Sequence, residues 1–193
     1  MPDGGLLERS GVERDDRFVA TLRSTNWDFH DSTTENDAHN IHPFPAKFIA
    51  QIPRTILSLF GVAPGTAVLD PFCGSGTTLL EAKNAGFDFV GVDLNPIAVL
   101  ISKVKTDGPQ ADAIAELHSV VRIAQSRYSI GEYVIPEIPR LSHWFRSEIA
   151  AAMACISDAI RSAECSDEVR NFLRLSLSAI TVRVSNQDRK SVV

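Results

Sequence analysis

The chain has 193 residues, 44% of them apolar and 22% charged, with a formal net charge of −5. These values suit one soluble domain with a single core, and no run of about 18 apolar residues offers a membrane span. The acidic balance disfavours a surface that grips nucleic acid everywhere, because phosphate contacts need a basic face.

Residues 1–38 are polar, rich in Asp, Arg, Ser and Thr, and lack a hydrophobic period. They predict a flexible arm with a short extended piece at Arg17-Phe18-Val19-Ala20. The opening MPDGGLLERSGVERDD carries acids and no apolar stretch, so no secretory leader is expected. In Asn40-Ile41-His42-Pro43-Phe44-Pro45-Ala46-Lys47-Phe48, two prolines around an aromatic impose an extended or turning backbone. From Pro45 or Ala46, Phe48, Ile49, Ile52, Ile56, Leu57 and Phe60 recur at helical spacing. A helix to Phe60 follows, with a kink or boundary at Pro53.

Residues 66–96 read TAVLDPFCGSGTTLLEAKNAGFDFVGVDLNP. A strand at Ala67-Val68-Leu69 ends in Asp70, and the turn Cys73-Gly74-Ser75-Gly76 opens a helix that closes at Gly86. A second strand, Phe89-Val90-Gly91-Val92, ends at Asp93. Such a unit is a strand–turn–helix–strand crossover with its ligand crevice at the carboxyl ends of the strands. The glycines let backbone pass close to a bulky ligand. Asp93 falls about 20 residues past the loop, where a carboxylate accepts both hydroxyls of a ribose. The residues therefore point to a cofactor bearing adenosine. The loop has no lysine after Gly76, unlike a phosphate loop, and Thr77-Thr78-Leu79 replaces the third glycine of a dinucleotide loop. Asp70 would repel a pyrophosphate but suits an ammonium.

Asn95 is placed to cap a helix with Pro96 at its first position, running to about Val104. Residues 111–128 predict another helix with Ile114, Leu117, Val121 and Ile123 inward. A loop through 129–146 leads to a helix from Ser147 to about Arg161. Asp167 begins the last helix, ending near Ser185, with Val169, Phe172, Leu173, Leu175, Leu177 and Ile180 expected inside. Beyond Val92 no further strand is legible. Cys73, Cys155 and Cys165 lack metal or redox spacing and read as reduced cytoplasmic thiols. His39 and His42 have no suitably spaced third ligand, so no metal is expected. Arg170, Arg174, Arg183, Arg189 and Lys190 make the last segment locally basic, which a solvated helix face explains as well as a nucleic-acid contact does.

Asp70-Pro71-Phe72-Cys73-Gly74-Ser75-Gly76-Thr77-Thr78 resembles the cofactor loop of S-adenosylmethionine-dependent methyltransferases, most of all those that methylate exocyclic amines of nucleobases. The resemblance implies a partial Rossmann-like class I methyltransferase fold, α/β with an incomplete sheet and additional C-terminal helices. It places the cofactor domain at 39–193, helical from about 111. It implies S-adenosylmethionine held by Asp70 through Thr77, with Asp93 on the ribose and Leu94 and Asn95 flanking the adenine. His42, Pro43, Phe44 and Lys47 resemble a segment that folds over the methionine end in DNA amino-methyltransferases. Trp144-Phe145 and the run 183–188 also resemble one such family, although for these aromatics packing under a loop competes with base stacking.

One part of that resemblance is missing. Enzymes of this class attack through a [D/N/S]-P-P-[Y/F/W] run, whose aromatic stacks on the flipped base, and this chain contains no Pro-Pro. No cysteine follows a proline, so attack at C5 of cytosine has no nucleophile either. No catalytic residue is expected in the chain itself. The implied whole is an N4-cytosine or N6-adenine DNA methyltransferase of a modification system, cytoplasmic and without membrane contact. DNA is its substrate, and a second polypeptide or sequence lost downstream supplies S-P-P-Y. An RNA guanine-N2 methyltransferase fragment and a non-catalytic truncated binder of the cofactor are the alternatives.

Overall fold

The computed structural model describes residues 16–29, 37–45, 49–60 and 65–186. Helix α1, Asp16–Ser24, packs against α2, Gln51–Phe60. Between them a 3₁₀ turn covers Asp37–Asn40. The extended piece expected at 17–20 is therefore helical, because contact with α2 rewards the helix where local pattern alone did not. Helix α2 starts later than its spacing predicts, at Gln51 rather than Pro45 or Ala46. Pro53 then falls in its first turn, where a missing N–H costs no helical hydrogen bond, and the helix runs unbroken to Phe60. Residues 46–48 lie outside the described set.

Strand β1, Ala67–Asp70, and strand β2, Asp88–Gly91, pair in parallel, with Ala67 opposite Asp88 and Asp70 opposite Gly91. Helix α3, Thr77–Asn84, makes the crossover, and Gly86 at φ +80° turns the chain back as expected. Among the described residues these are the only strands. Pleating sends Val68 and Phe89 to one face, where they are half-buried. Leu69, Val90 and Val92 point to the other face and are 65%, 53% and 54% exposed.

Helix α4, Pro96–Asp107, runs a turn beyond Val104 before Gly108 at φ +79° ends it. Helix α5, Ala113–Ile130, the single turn α6, Leu141–Trp144, helix α7, Ser147–Ser162, and helix α8, Asp167–Val184, are the remaining elements among the described residues. Turn α6 stands where a plain loop was expected. Alanines at 150, 151, 154 and 159 give α7 a thin buried face, and Val120, Ala124, Cys155, Ile160 and Leu173 close the core of α5, α7 and α8. The inward face of α5 runs through Ala113, Val120 and Ala124, so Ile114 and Val121 are exposed instead of buried, as is Ile180 on α8. Helix α8 also reaches α4, where Leu175 joins Ile101 and Val104 and Phe44 packs alongside. Phe172 touches both clusters, which joins the helical layer to the βαβ unit. Among the described residues no helix is long and apolar enough to cross a membrane.

Candidate functional site

Parallel pairing sets the carboxyl ends of β1 and β2 side by side, and the loop after Asp70 is stitched between them. Val92 N–H donates to the Asp70 carbonyl at 2.9 Å, and Cys73 N–H donates to the Val92 carbonyl at 3.0 Å. Phe72 N–H donates to Asp70 Oδ1 at 3.1 Å. Both oxygens of Asp93 accept backbone N–H groups, Oδ2 from Gly74 and Oδ1 from Asn95, each at 2.8 Å. Asn95 Oδ1 in turn accepts from Ile97 N–H at 3.0 Å, capping α4 with Pro96 inside the first turn as predicted.

Helix α4 holds the loop from behind. Ser102 Oγ donates to the Gly74 carbonyl at 2.8 Å, and the buried Lys105 ammonium donates to Ser75 Oγ at 3.3 Å. Two loop glycines thus have different tasks. Gly76, at φ +76°, lies so close to α4 that a Cβ would stand 2.9 Å from Ser102 Cα. Gly74, at φ +49°, faces only the Phe44 ring, 3.8 Å from the position of such a Cβ. Gly91 on β2 makes room in the same way, since a Cβ there would meet Leu79 and Cys73.

A cavity of about 410 Å³ opens at this edge, lined by Phe44, Asp70, Phe72, Cys73, Gly74, Ser75, Thr77 and Thr78. Its size falls in the range of small-molecule sites. Phe72 is 87% exposed and Leu94 fully exposed, so two large apolar side chains stand in solvent at the strand ends. Exposed apolar groups around a concave polar loop mark a binding surface. A hollow of similar size between α2 and α3 includes Asn84, Ala85 and Phe87, and so lies by the amino end of β2 instead. Burial pushes the Cys73 thiol up, and the nearby carboxylates of Asp70 and Asp93 push it further, so it stays protonated despite the Ser102 hydroxyl beside it. Cys73 packs against Ser102 and under Gly91.

Seven of the expected residues share the cavity: Phe44, Asp70, Phe72, Cys73, Gly74, Ser75 and Thr77. Pro71 is exposed in the loop, Gly76 is buried against α4, and Asp93, Leu94 and Asn95 lie beside the cavity at the end of β2. His42 is 8% exposed, and both its ring nitrogens are engaged away from the cavity lining. Nδ1 lies 2.7 Å from the Pro43 carbonyl and Nε2 3.1 Å from Ser178 Oγ. Lys47 lies outside the described residues. Asn186 clasps the turn at Trp144, its N–H donating to the Trp144 carbonyl at 2.7 Å and its Nδ2 to the His143 carbonyl at 3.1 Å. The Trp144 region and the 183–188 run, singled out separately in the sequence, therefore meet, while Gln187 and Asp188 lie outside the described residues.

Sequence reasoning missed the supports: Ser102 and Lys105 on α4, Thr78 in the lining, and the carboxylate of Glu81. Glu81, 2% exposed, accepts from Arg54 at 2.7 and 3.2 Å and from His39 at 3.0 Å. Burial opposes its ionisation, but the hydrogen bonds from Arg54 and His39 outweigh that and hold its carboxyl below the ordinary range. The signal available was a polar or charged residue on the apolar stripe of α3 or α4.

Residues 11–104 match a family model described as DNA methylase. The chain is 30% identical over 167 residues to the type II methyltransferase M.MvaI of Kocuria varians, an alignment covering 82% of this chain and 37% of that protein. It is 43% identical over 68 residues to the type II methyltransferase M.MjaII of Methanocaldococcus jannaschii, covering 35% of this chain and 12% of the relative. A shorter similarity, 38% over 52 residues, links 27% of the chain to 16% of the tRNA (guanine(10)-N2)-dimethyltransferase of Methanothermobacter thermautotrophicus. The chain thus spans little more than a third, or less, of the length of these relatives. No solved structure matches.

Proposed function

We propose, from the match to the DNA methylase model and the similarity to type II methyltransferases, that the chain is a DNA amino-methyltransferase and forms the methyl-donor half of an S-adenosylmethionine-dependent enzyme that modifies DNA at cytosine N4 or adenine N6. The observation that carries this reading is the cavity at the strand ends, where the Asp70 carboxylate, the Gly74 backbone and the Phe44 ring converge beside Asp93. The chemistry of that donor set fits the cofactor. Asp70 offers a carboxylate to the methionine ammonium, Phe44 with Pro43 walls that end, and the loop from Pro71 to Thr77 passes under it. Asp93 receives the ribose hydroxyls, and Leu94 and Asn95 flank the adenine. We assign His42 to holding this wall rather than to touching the cofactor.

When bound, the cofactor supplies an electrophilic methyl on a sulfonium, ready for displacement by a base amine. The chain's own residues hold charge and orientation, so that attack occurs in line. Asp70 neutralises the ammonium, and a protonated Cys73 forms no covalent intermediate. The Rossmann-like reading of the fold and the single cofactor domain at 39–193 follow from the same proposal. Support comes from α8, which packs on both clusters of the core.

The groups that would accept the base, the S-P-P-Y run, are absent from the sequence. We therefore place them on further polypeptide, covalent or separate, that adds to the sheet. Parallel sheets are stable with both faces covered, and Leu69, Val90 and Val92 present an uncovered apolar face. Covering those three side chains is worth on the order of 3 kcal/mol. The setting would be the cytoplasm, where DNA and reduced thiols coexist. DNA is favoured over RNA guanine methylation because the matching family model is a DNA methylase and similarity to a type II methyltransferase extends over 82% of the chain, against 27% for the tRNA enzyme.

Titration of the purified chain with S-adenosylmethionine, followed by calorimetry, tests the donor site, and binding at one site is expected. Tritiated cofactor with DNA should give no product until a polypeptide carrying S-P-P-Y is added. Absence of binding would overturn the donor site, and turnover by this chain alone would overturn the missing half.

A further inference from the structure

The cavity wall is held from two directions by residues remote from it in sequence. Residues 37–45 form a strap across α3 and α8. At its start, His39 Nε2 lies 3.0 Å from Glu81 Oε1, and since a carboxylate only accepts, the imidazole donates. Further on, His42 Nδ1 donates to the Pro43 carbonyl at 2.7 Å, which in the neutral ring leaves Nε2 as the acceptor. Ser178 Oγ therefore donates to it at 3.1 Å. Neighbouring hydroxyls on α8 serve the helix itself, Ser176 bonding to the Phe172 carbonyl and Thr181 to the Leu177 carbonyl. Ser178 instead reaches out of the helix. Just after the second pin sit Pro43, Phe44 and Pro45, the two prolines restricting the backbone on either side of the aromatic.

We propose that Glu81 and Ser178 are positioning residues of the donor site, acting through His39 and His42 to seat the Phe44 ring over the Gly74 edge of the cavity. The inference rests on the donor-site reading above. Phe44 lies against Ile101, Val104 and Leu175 on one side and the loop on the other, so a small rotation of the strap withdraws it from the cavity. Two directional hydrogen bonds on separate helices remove that rotation. Because Phe44 shares the cavity with Asp70, and Asp93 lies outside the lining, the pins matter for the amino-acid end of the ligand and not for its nucleoside end.

The test is calorimetry of the full chain with two probes, S-adenosylmethionine and 5′-methylthioadenosine, which lacks the amino-acid end. Ser178→Ala should weaken the first by about three- to tenfold, the worth of one net hydrogen bond, leaving the second unchanged. Ser178→Thr, which keeps the hydroxyl, should restore binding. Phe44→Leu should weaken S-adenosylmethionine, and adding Ser178→Ala to it should cost nothing more, since both act on one contact. Glu81→Gln should show the same selectivity for the longer probe. Equal weakening of both probes, additivity with Phe44→Leu, or no effect of Ser178→Ala would overturn the positioning role. Failure of the unmodified chain to bind either probe would remove the donor site itself, and the positioning role with it.

Discussion

Asp93 Oδ2 accepts the backbone N–H of Gly74 at 2.8 Å, so the acid that ends one strand holds the loop that leaves the other. The same carboxylate also receives the Asn95 N–H, which orients it toward the strand ends. One residue therefore shapes the loop and presents the charge beside it.

Replacement of Asp93 by Ala should act on both tasks. Affinity for S-adenosylmethionine is expected to fall by about 1–3 kcal/mol through lost charge-assisted hydrogen bonds. Unfolding in urea should also show a loss of about 1 kcal/mol, because the Gly74 N–H is left without its acceptor. Unchanged affinity by calorimetry would take Asp93 out of the site and leave it only the loop.

The two loop glycines should respond differently to alanine. Gly76→Ala places a methyl against Ser102 backbone at φ +76°, and a loss of about 3 kcal/mol or failure to fold is expected. Gly74→Ala meets only the Phe44 ring at ordinary contact distance, so about 1 kcal/mol of left-handed strain is expected. Thermal melts of the two variants side by side check the ranking, and a tie would contradict it.

Glu81 gives an acid-side signature. Its carboxyl is held below the ordinary range in the folded chain, so its contribution is present above the unfolded value of 4.5 and is lost as pH falls through the folded value. Glu81→Gln should flatten the loss of stability below that pH. At neutral pH it should cost about 2 kcal/mol, less than a fully buried pair would lose, because Arg54 is itself 55% exposed and can return to water. Urea midpoints measured across the acidic range decide it.

Cys73 should resist alkylation. Burial raises both its thiol and that of Cys165, so access decides the order: Cys73 is 7% exposed, and iodoacetamide at neutral pH should modify the half-buried Cys165 first. Mass spectrometry of the labelled peptides reads the order. Rapid labelling of Cys73 would mean that the loop opens.

Much of the βαβ unit was legible because its signals are local. A strand ending in Asp70, a glycine turn, a helix closed by Gly86 and an Asn95-Pro96 cap each depend on residues within a turn of one another. The α1 helix was not legible, since it is stabilised by its contact with α2. The inward face of α5 was misread for a related reason. Small residues, Ala113 and Ala124, take the buried positions against α7, while larger Ile114 and Val121 face water. Hydrophobic size marks a face only when the partner's shape is known.

The amino-acid sequence by itself determined the loop, its two acids and the absence of a base-accepting run, because each is a matter of residue type at short spacing. Only the tertiary structure decided which glycine meets α4 and which faces the cavity. It alone turned His42 toward Ser178 and placed Glu81 beneath the strap. These pairings join residues far apart in the chain, and distance along the sequence carries no record of which side chains packing brings within hydrogen-bond reach.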